Sequence, residues 1–390
     1  MARRWHGKRP MFDHPIWLLG FRPFFLLAAL AGAILVPIWA AAFAGAVALP
    51  ADGLPALAWH AHEMFYGFGW AVLGGFLLTA SRNWLRIRGL HGGPLALAAL
   101  LWILERVAVF LPPSPLRLVL LNAFAVWVIG YLVGILARHF RNGSPQNAWF
   151  LVALPIFLVA KNLLLQPQTW VVGVAMTVGL FRLPFALMFE RLIPMFMRNA
   201  MGVEVPRRSW LDTAIKALLL VGVFQALLPN AVAAIVLGAA AILLGARLLA
   251  WRPLVGLRRV EIGVMYVGSA GLVVHLLLEA LRLGAGWTGV GTLSTHAFTL
   301  LVMGLVIPAM LLRVSMGHTG RPIAFTNVDR AALWIMGAAA FFRLVATQAW
   351  PGAYAAWIAT AAAGWSVCFA LVLVRLAPML LRPRVDGRLV

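Results

Sequence analysis

The sequence contains little cysteine and little negative charge. Cys368 is its one cysteine in 390 residues, and it lies within an apolar run. This excludes a disulfide framework, a covalent C-x-x-C-H haem attachment site and a zinc site built from several cysteines. Asp and Glu number 11 against 32 Lys and Arg. Because the basic residues lie mostly between apolar runs, the excess indicates the positive-inside pattern of a membrane protein and no nucleic-acid partner.

Charged residues of both signs are scarce as well. They make up 11% of the chain, whereas 63% is hydrophobic, which is more apolar surface than a soluble protein could bury. The basic N-terminus precedes the first apolar run without a small-residue cleavage site, so we expect a retained helix and not a signal peptide. The sequence predicts a single polytopic transmembrane domain over residues 1–390, with the lipid bilayer as its main partner.

Twelve apolar stretches approach the length of about 20 residues that a membrane helix needs. We therefore predict an all-α membrane protein with about twelve transmembrane helices. The predicted spans are 17–47, 57–81, 94–111, 117–137, 148–165, 170–197, 211–228, 230–251, 260–281, 290–313, 328–349 and 353–377.

The distribution of arginines predicts the orientation of these spans. Every second loop is basic, and the loops between hold little beyond Asp52, Arg117 and Arg282. By the positive-inside rule both termini would be cytoplasmic.

A weaker pattern suggests internal repetition. The second, sixth and tenth spans end in related text, with the almost evenly spaced arginines Arg82, Arg198 and Arg313. We infer candidate repeats 17–137, 148–251 and 260–377, which would form three four-helix units about a pseudo-threefold axis. The alternative is that evenly spaced spans each end in an arginine for topological reasons alone.

The start of the second span carries a cluster of polar side chains: His60, His62, Glu63, Met64 and Tyr66. Such groups are costly in hydrocarbon and commonly mark a functional site. On a regular helix the two histidines point apart, so they would serve two centres, one shared with Met64 and the other with Tyr66. The alternative is a pair of interfacial histidines in contact with headgroup water.

Histidines of three different spans fall at one depth. His62, His275 and His296 would all lie in the outer third of the bilayer. An axially ligated haem or a histidine copper site needs such a set. We predict His62 and His296 as axial ligands, and His60 and His275 as a second centre, with His60, His62, His296 and Met64 as the metal ligands. His275 with Glu279 could instead form a structural pair.

Several cations lie inside the predicted spans. They are Arg22, Arg106, Lys161, Arg182, Arg191 and Arg343. Arg106, Lys161 and Arg343 lie toward the outer side and could bind haem propionates. Adjacent residues such as Glu105 and Arg106 do not face each other on a regular helix, so we expect each to pair with another helix. Structural interhelical ion pairs are the alternative for each.

Two further motifs lie near the cytoplasmic side. Gly20-Phe21-Arg22-Pro23-Phe24-Phe25 begins the first span, and Gly317-His318-Thr319-Gly320-Arg321-Pro322 comes after the tenth. We expect Gly317 to end that span and His318 to lie in a loop.

Together with Trp59-His60-Ala61-His62-Glu63-Met64, these motifs resemble the NnrS family in order and spacing. The resemblance implies a bacterial inner-membrane protein that contains haem and copper. It links the chain to nitric oxide metabolism, denitrification and resistance to nitrosative stress, and it gives importance to Arg22, His60, His62, Glu63, His318 and Arg321. The haem would be non-covalent, of b-type.

The pattern is also distantly similar to subunit I of haem-copper oxidases, in which twelve spans carry ligands on the second, sixth and tenth. Here the sixth span has no histidine, the seventh has no His-His pair and the tenth has a single histidine. The usual copper site of that family is therefore not recognisable.

Two main hypotheses of function emerge, beside a third option of a redox partner or assembly factor that handles haem or copper without turnover. The first is a haem-binding and copper-binding protein that binds or converts nitric oxide or iron–nitrosyl species, and that could act as a haem-dependent oxidoreductase with an unidentified redox partner. The second is a cofactor-free transporter that uses Arg182 and the intramembrane ion pairs.

Overall fold

The computed structural model describes residues 14–49, 54–139, 147 and 149–387. Within these ranges all regular structure is helical, and no strand occurs. The predicted all-α class is therefore confirmed.

Each of the twelve predicted stretches contains one principal helix. The helices are α1 Phe21–Phe43, α2 Ala56–Leu85, α3 Gly93–Ala108, α4 Pro115–Arg138, α5 Phe150–Leu164, α6 Trp170–Met201, α7 Ser209–Gly222, α8 Asn230–Ala250, α9 Val260–Gly284, α10 Leu293–His318, α11 Asn327–Ala349 and α12 Pro351–Leu380. A four-residue helix, Pro253–Gly256, lies between α8 and α9.

Nine of these helices, among the residues described, are long and apolar enough to cross a membrane. The other three, α3, α5 and α7, have 16, 15 and 14 residues. The α7 helix ends early because the chain turns through the 3-10 segment Gln225–Leu227 before Pro229. The membrane-type fold is thus established, whereas twelve crossings and threefold symmetry stay predictions.

The chain forms two compact units. Unit 1 contains residues 1–170, 310–324 and 369–390, and unit 2 contains residues 171–309 and 325–368. The single-domain organisation and the three candidate repeats stay predictions.

Glycines bring the helices of unit 1 into close contact. A Cβ atom added to Gly75 in α2 would lie 2.8 Å from Cβ of Phe24 in α1, and one added to Gly20 would lie 2.5 Å from Cβ of Leu78. Both distances are well below van der Waals contact, so larger residues would force α1 and α2 apart. The Phe21 amide also donates to Oγ1 of Thr79 at 2.9 Å, which fixes the start of α1 against the end of α2.

Unit 2 uses the same device between α9 and α10. A Cβ atom on Gly271 would lie 2.5 Å from Cβ of Leu301, and one on Gly268 would overlap Val306. The α8 helix packs along α9 as well. The buried face of α9, which carries His275 and Glu279, is therefore held at short range from its neighbours.

Three helices contain π-helical segments: Glu63–Gly69 in α2, Ala297–Gly304 in α10 and Phe342–Ala346 in α11. The first begins directly after His62, and the second directly after His296. Such segments insert an extra residue in a helical turn, re-aim the side chains around it and occur often at functional sites.

Candidate functional site

Glu105 of α3 is the centre of a buried network in unit 1. Its side chain is fully buried. Three side-chain nitrogen atoms lie within 3.2 Å of one of its oxygens, Oε1. Nζ of Lys161 lies at 2.5 Å, Nη2 of Arg106 at 2.7 Å and Nε2 of His62 at 3.2 Å. Side chains of α2, α3 and α5 thus converge on a single carboxylate.

Glu63 contacts His62 on the side of the ring opposite to Glu105. Its Oε1 lies 2.8 Å from Nδ1 of His62, and its Oε2 lies 2.8 Å from Nε of Arg106. The imidazole therefore stands between two carboxylates, one at each ring nitrogen. We call Glu63, His62, Glu105, Arg106 and Lys161 the His62 network.

The π-helical segment of α2 positions the His62 network. Gly67 leaves room for Glu63, because a Cβ at that position would lie 2.8 Å from Oε2 of Glu63. The Gly67 carbonyl accepts a hydrogen bond from Nε1 of Trp102 at 3.0 Å. The hydroxyl of Tyr66 donates to the carbonyl of Phe157 at 3.1 Å. The segment is therefore tied to both α3 and α5.

The charges of the His62 network balance in number. Two carboxylates face Arg106 and Lys161, and Lys161 also contacts the carbonyl of Leu121. Each buried carboxylate therefore has a cation beside it, which offsets the cost of removing both charges from water.

A second buried network lies in unit 2 around Arg182 of α6. Nε of Arg182 donates to Nε2 of His275 at 2.9 Å, and Nη1 donates to Oε1 of Gln225 at 2.7 Å. Nδ1 of His275 lies 2.8 Å from the Ser294 carbonyl. Because arginine only donates and a carbonyl only accepts, His275 is neutral with its hydrogen on Nδ1.

Glu279 completes this second network. Nε2 of Gln225 donates to its Oε2 at 2.8 Å, and Nη2 of Arg282 lies 2.9 Å from the same oxygen. Gln225 therefore connects the buried Arg182 to the carboxylate that Arg282 neutralises. We call Arg182, Gln225, His275, Glu279 and Arg282 the Arg182 network.

His296 lies in unit 2 beside the π-helical segment of α10. Its Nδ1 lies 2.8 Å from the carbonyl of Thr292, one turn earlier. Nη2 of Arg343 lies 3.2 Å from Nδ1 and 3.5 Å from Nε2, and it also donates to Oγ1 of Thr292 at 3.1 Å. His296 and Arg343, predicted from different spans, are thus neighbours.

The remaining residues of the polar cluster on α2 are less enclosed. The ring of His60 is half-buried and stacks on Trp39 of α1, with centroids 4.4 Å apart. Met64 is half-buried. His60 and His62 therefore have different surroundings, as the predicted divergence of their side chains requires.

The two motifs near the predicted cytoplasmic side meet in unit 1. The ring of His318 packs on Phe21 with centroids 5.2 Å apart, and Nη1 of Arg22 donates to the carbonyls of Leu380 and Arg382, each at 2.8 Å. The chain matches the family model described as NnrS protein over residues 15–384, which is nearly its whole length. It belongs to the NnrS family.

The predicted resemblance to NnrS is thereby confirmed. No match to the chain was found among curated proteins. Membership of the NnrS family gives no single residue a role, so the roles follow from the contacts of each side chain.

The haem and copper that the NnrS resemblance implies can be tested against the ring nitrogens. A metal needs a free lone pair on a neutral imidazole, and the other nitrogen commonly donates to a carbonyl. His296 fits this pattern more nearly, because the hydrogen on Nδ1 can go to Thr292 and the lone pair of Nε2 faces only Nη2 of Arg343, at the long distance of 3.5 Å. His275 does not fit as placed, since both nitrogens are used by Arg182 and Ser294.

Nδ1 of His62 forms a hydrogen bond with Oε1 of Glu63, whereas its buried Nε2 has no hydrogen-bond partner and lies 3.2 Å from Oε1 of Glu105. A metal at Nε2 would therefore have to displace Glu105, while Glu63 would orient the ring. Among the described residues, no three His, Cys, Asp or Glu side chains are grouped as ligands of one metal ion. The predicted pair of His62 and His296 combines residues of both units, and it stays a prediction.

Three expectations need correction. Glu105 and Arg106 do contact each other, because the arginine side chain is long enough to fold back while both also reach other helices. The tenth helix continues past Gly317 to His318, and the chain turns at Gly320, whose φ of +75° suits glycine. His318 is therefore a helical residue packed on Phe21 and not part of a loop.

Sequence reasoning identified most charged members of these networks but not their connections. Gln225 and Ser294 were missed, because both lie near the ends of their predicted spans, 211–228 and 290–313, where a neutral polar side chain carries little signal. The requirement that Arg182 have a partner was met by Gln225 and His275. The i+4 pair of His275 and Glu279 is joined through Arg182 and Gln225.

Proposed function

We propose that this NnrS protein is a haem-binding protein of the bacterial inner membrane that acts in the response to nitric oxide. The proposal rests on the family and on His296, whose Nδ1 contacts the Thr292 carbonyl while Nε2 has a long 3.5 Å contact with Nη2 of Arg343 that an iron ion would replace. Haem would supply the iron that binds nitric oxide. Nitric oxide is small and nonpolar enough to reach such a site through the lipid.

Arg343 would support the same site. Its guanidinium lies beside His296, and only 9% of Arg343 is exposed. A buried cation next to an iron ligand suits a haem propionate, because guanidinium binds carboxylates in a two-pronged geometry. Arg106 is less available for that role, since Glu63 and Glu105 already neutralise it.

The membrane arrangement belongs to the proposal as well. Twelve crossings with both termini cytoplasmic would place the arginine-rich loops on one side, as the positive-inside rule requires. The three short helices α3, α5 and α7 would then cross with the help of flanking turns. An iron-ligand role for His62 in unit 1, and copper at His60 and Met64, are further parts of this proposal.

The test is a difference spectrum of the purified protein. We would purify it in detergent from haem-replete cells and record the dithionite-reduced minus oxidised spectrum with and without nitric oxide. Sharp haem bands that shift with nitric oxide are expected. His296→Ala should lose most of its haem, whereas His91→Ala, a control outside the helices, should keep it.

Other outcomes would change the proposal in defined ways. Normal haem content in His296→Ala would remove this residue as a ligand, and normal content in His62→Ala would remove His62 as a ligand. Copper analysis of wild type and His60→Ala tests the copper assignment. A wild-type protein without haem bands or bound metal would contradict the haem proposal.

One observation favours a cofactor-free transporter as the second candidate. Arg182 is fully buried, and its hydrogen-bond partners Gln225, His275 and the Gly222 carbonyl are neutral. Such a cation could bind an anion in transit. Anion uptake into vesicles that is lost in Arg182→Gln, together with an empty spectrum, would support it.

A further inference from the structure

A cluster of positive charge in unit 1 has no part in the proposed haem site. The cluster consists of Arg22 at the start of α1, Arg82 near the end of α2, Arg321 after α10 and Arg384 after α12. His318, at the end of α10, lies near three of them. The positive charges of Arg321 and Arg384 lie close enough to repel that of Arg22. Those of Arg384, Arg82 and Arg22 act on His318 in the same way.

Arg22 is buried in this cluster with only part of its guanidinium satisfied. It is 2% exposed, and its Nη1 donates to the backbone carbonyls of Leu380 and Arg382. Nε is buried and has no hydrogen-bond partner. Its protein partners are thus neutral carbonyls, which leave the charge itself uncompensated.

Arg321 presents a second buried donor. The turn that carries it depends on Gly320, where a Cβ would lie 2.8 Å from Cγ of Asp386. The Arg321 amide donates to the Met316 carbonyl at 2.9 Å, which fixes the backbone behind the turn. Nη1 of Arg321 is buried without a hydrogen-bond partner. Burial, together with the positive charge of Arg382, lowers the pKa of Arg321.

One carboxylate, Asp386, is present in this cluster within the part of the chain that the structure describes. Both of its oxygens are engaged by Arg384, at 2.9 Å and 2.5 Å. Arg384 also donates to the carbonyl of His318 at 3.0 Å. Asp386 carries one negative charge against the four arginines, so the cluster keeps an excess of positive charge.

Buried donors on arginines with uncompensated charge indicate an anionic ligand. Removing a cation from water is costly unless it is paired. Guanidinium groups match the geometry of phosphate oxygens, and each such charge-assisted hydrogen bond is stronger than a neutral one. We propose that Arg22 and Arg321 bind a phosphate-type oxyanion, from a free phosphate or from the headgroup of an anionic lipid, between the start of α1 and the turn after α10.

The binding experiment uses the full chain in nanodiscs made from zwitterionic lipid. Inorganic phosphate is titrated in one arm by calorimetry, and phosphatidylglycerol is added to the lipid in the other, with bound lipid counted by native mass spectrometry. The variants are Arg321→Gln and Arg22→Lys, and Arg258→Gln on an exposed segment is the matched control of total charge.

We expect wild type to bind at least one of the two probes and Arg321→Gln to weaken that binding about tenfold, as the loss of one charge-assisted hydrogen bond implies. Arg258→Gln should bind as wild type does. Phosphate binding alone would identify a soluble anion, and lipid binding alone would identify a headgroup.

Absence of binding by wild type in both arms would overturn the proposal. Equal binding by wild type and Arg321→Gln would overturn it too. Arg22→Lys retains the charge but places all its donors on one nitrogen, so it loses the planar fork that lets Arg22 hold two carbonyls through Nη1 and keep Nε for a ligand, and its binding should also fall. If that variant does not fold, Arg321→Gln alone decides, because the Arg321 side chain is only partly buried and its loss is easier to tolerate. Haem content, measured in the same samples, should not change.

Discussion

The His62 network and the Arg182 network compensate their buried charges in opposite ways. In the first, two carboxylates and two cations face one another directly, and Glu105 alone receives three nitrogens within 3.2 Å. In the second, the buried Arg182 reaches its carboxylate only through Gln225, and its other side-chain partner is a neutral histidine. The two buried histidines differ in the same way. His62 lies among acceptors, whereas His275 has a donor on one side and an acceptor on the other.

This contrast between the networks has an energetic consequence. A direct buried ion pair loses much when one partner is removed, because the other charge is left uncompensated. A neutral hydrogen-bonded link loses less, since only one donor or acceptor is orphaned. Substitutions in the His62 network should therefore destabilise the protein more than substitutions in the Arg182 network.

The largest effect is expected for Glu105→Gln. The substitution keeps the shape and removes the charge that His62, Arg106 and Lys161 share, so it should lower the free energy of unfolding by about 3–5 kcal/mol. Unfolding by SDS in mixed micelles measures it. Glu204→Gln at an exposed position should be neutral. A loss below about 1 kcal/mol would contradict a direct ion-pair network.

A double-mutant cycle sharpens this result. Lys161→Met alone should also be strongly destabilising, but Glu105→Gln combined with Lys161→Met should cost less than the sum, because each substitution removes the partner of the other. Additive losses would show that the two residues do not interact.

A smaller effect is expected for His275→Phe in the Arg182 network. The ring volume is retained, but Nε of Arg182 loses its acceptor, which costs about 1.5–3 kcal/mol for a hydrogen bond to a charged group. Val274→Phe on the exposed side of α9 is the control and should change stability by no more than about 0.5 kcal/mol. The comparison fails if His275→Phe is as costly as Glu105→Gln.

Gly67→Ala tests whether the π-helical segment is needed for the His62 network. The new methyl group would lie 2.8 Å from Oε2 of Glu63, so we expect a loss of about 1–3 kcal/mol from overpacking. Gly134→Ala in α4 has open space around it and should be neutral or stabilising by up to about 1 kcal/mol. Equal stability of the two variants would mean that Glu63 moves without cost.

The smallest effect is expected for Tyr66→Phe. Loss of the hydrogen bond from its hydroxyl to the Phe157 carbonyl should cost about 0.5–1.5 kcal/mol. Tyr131→Phe is the control on α4 and should stay within about 0.5 kcal/mol of wild type. The same unfolding measurement serves for both variants. A larger loss of stability in Tyr131→Phe than in Tyr66→Phe would show that the hydrogen bond of Tyr66 contributes no specific stability.

Helix positions were predictable from hydropathy far better than side-chain contacts were. Each of the predicted stretches contains a helix because long apolar runs bounded by turn residues allow little else. The lengths of α3, α5 and α7 were not predictable in the same way, since they depend on where neighbouring helices and turns permit the chain to end. The π-helical segments after His62 and His296 had no sequence signal, because Gly67 alone does not distinguish a π turn from an ordinary close contact.

Local sequence was enough to define the helical membrane-type fold and the NnrS family, since both reside in composition and in short motifs. It also showed which charged residues are expensive enough to need partners. The identity of those partners depended on tertiary structure. Glu105 meets Lys161 across separate helices, and Arg22 meets the carbonyls of Leu380 and Arg382 at the end of α12. Such contacts join residues far apart in the chain, and their energy depends on distance and burial, which no local pattern encodes.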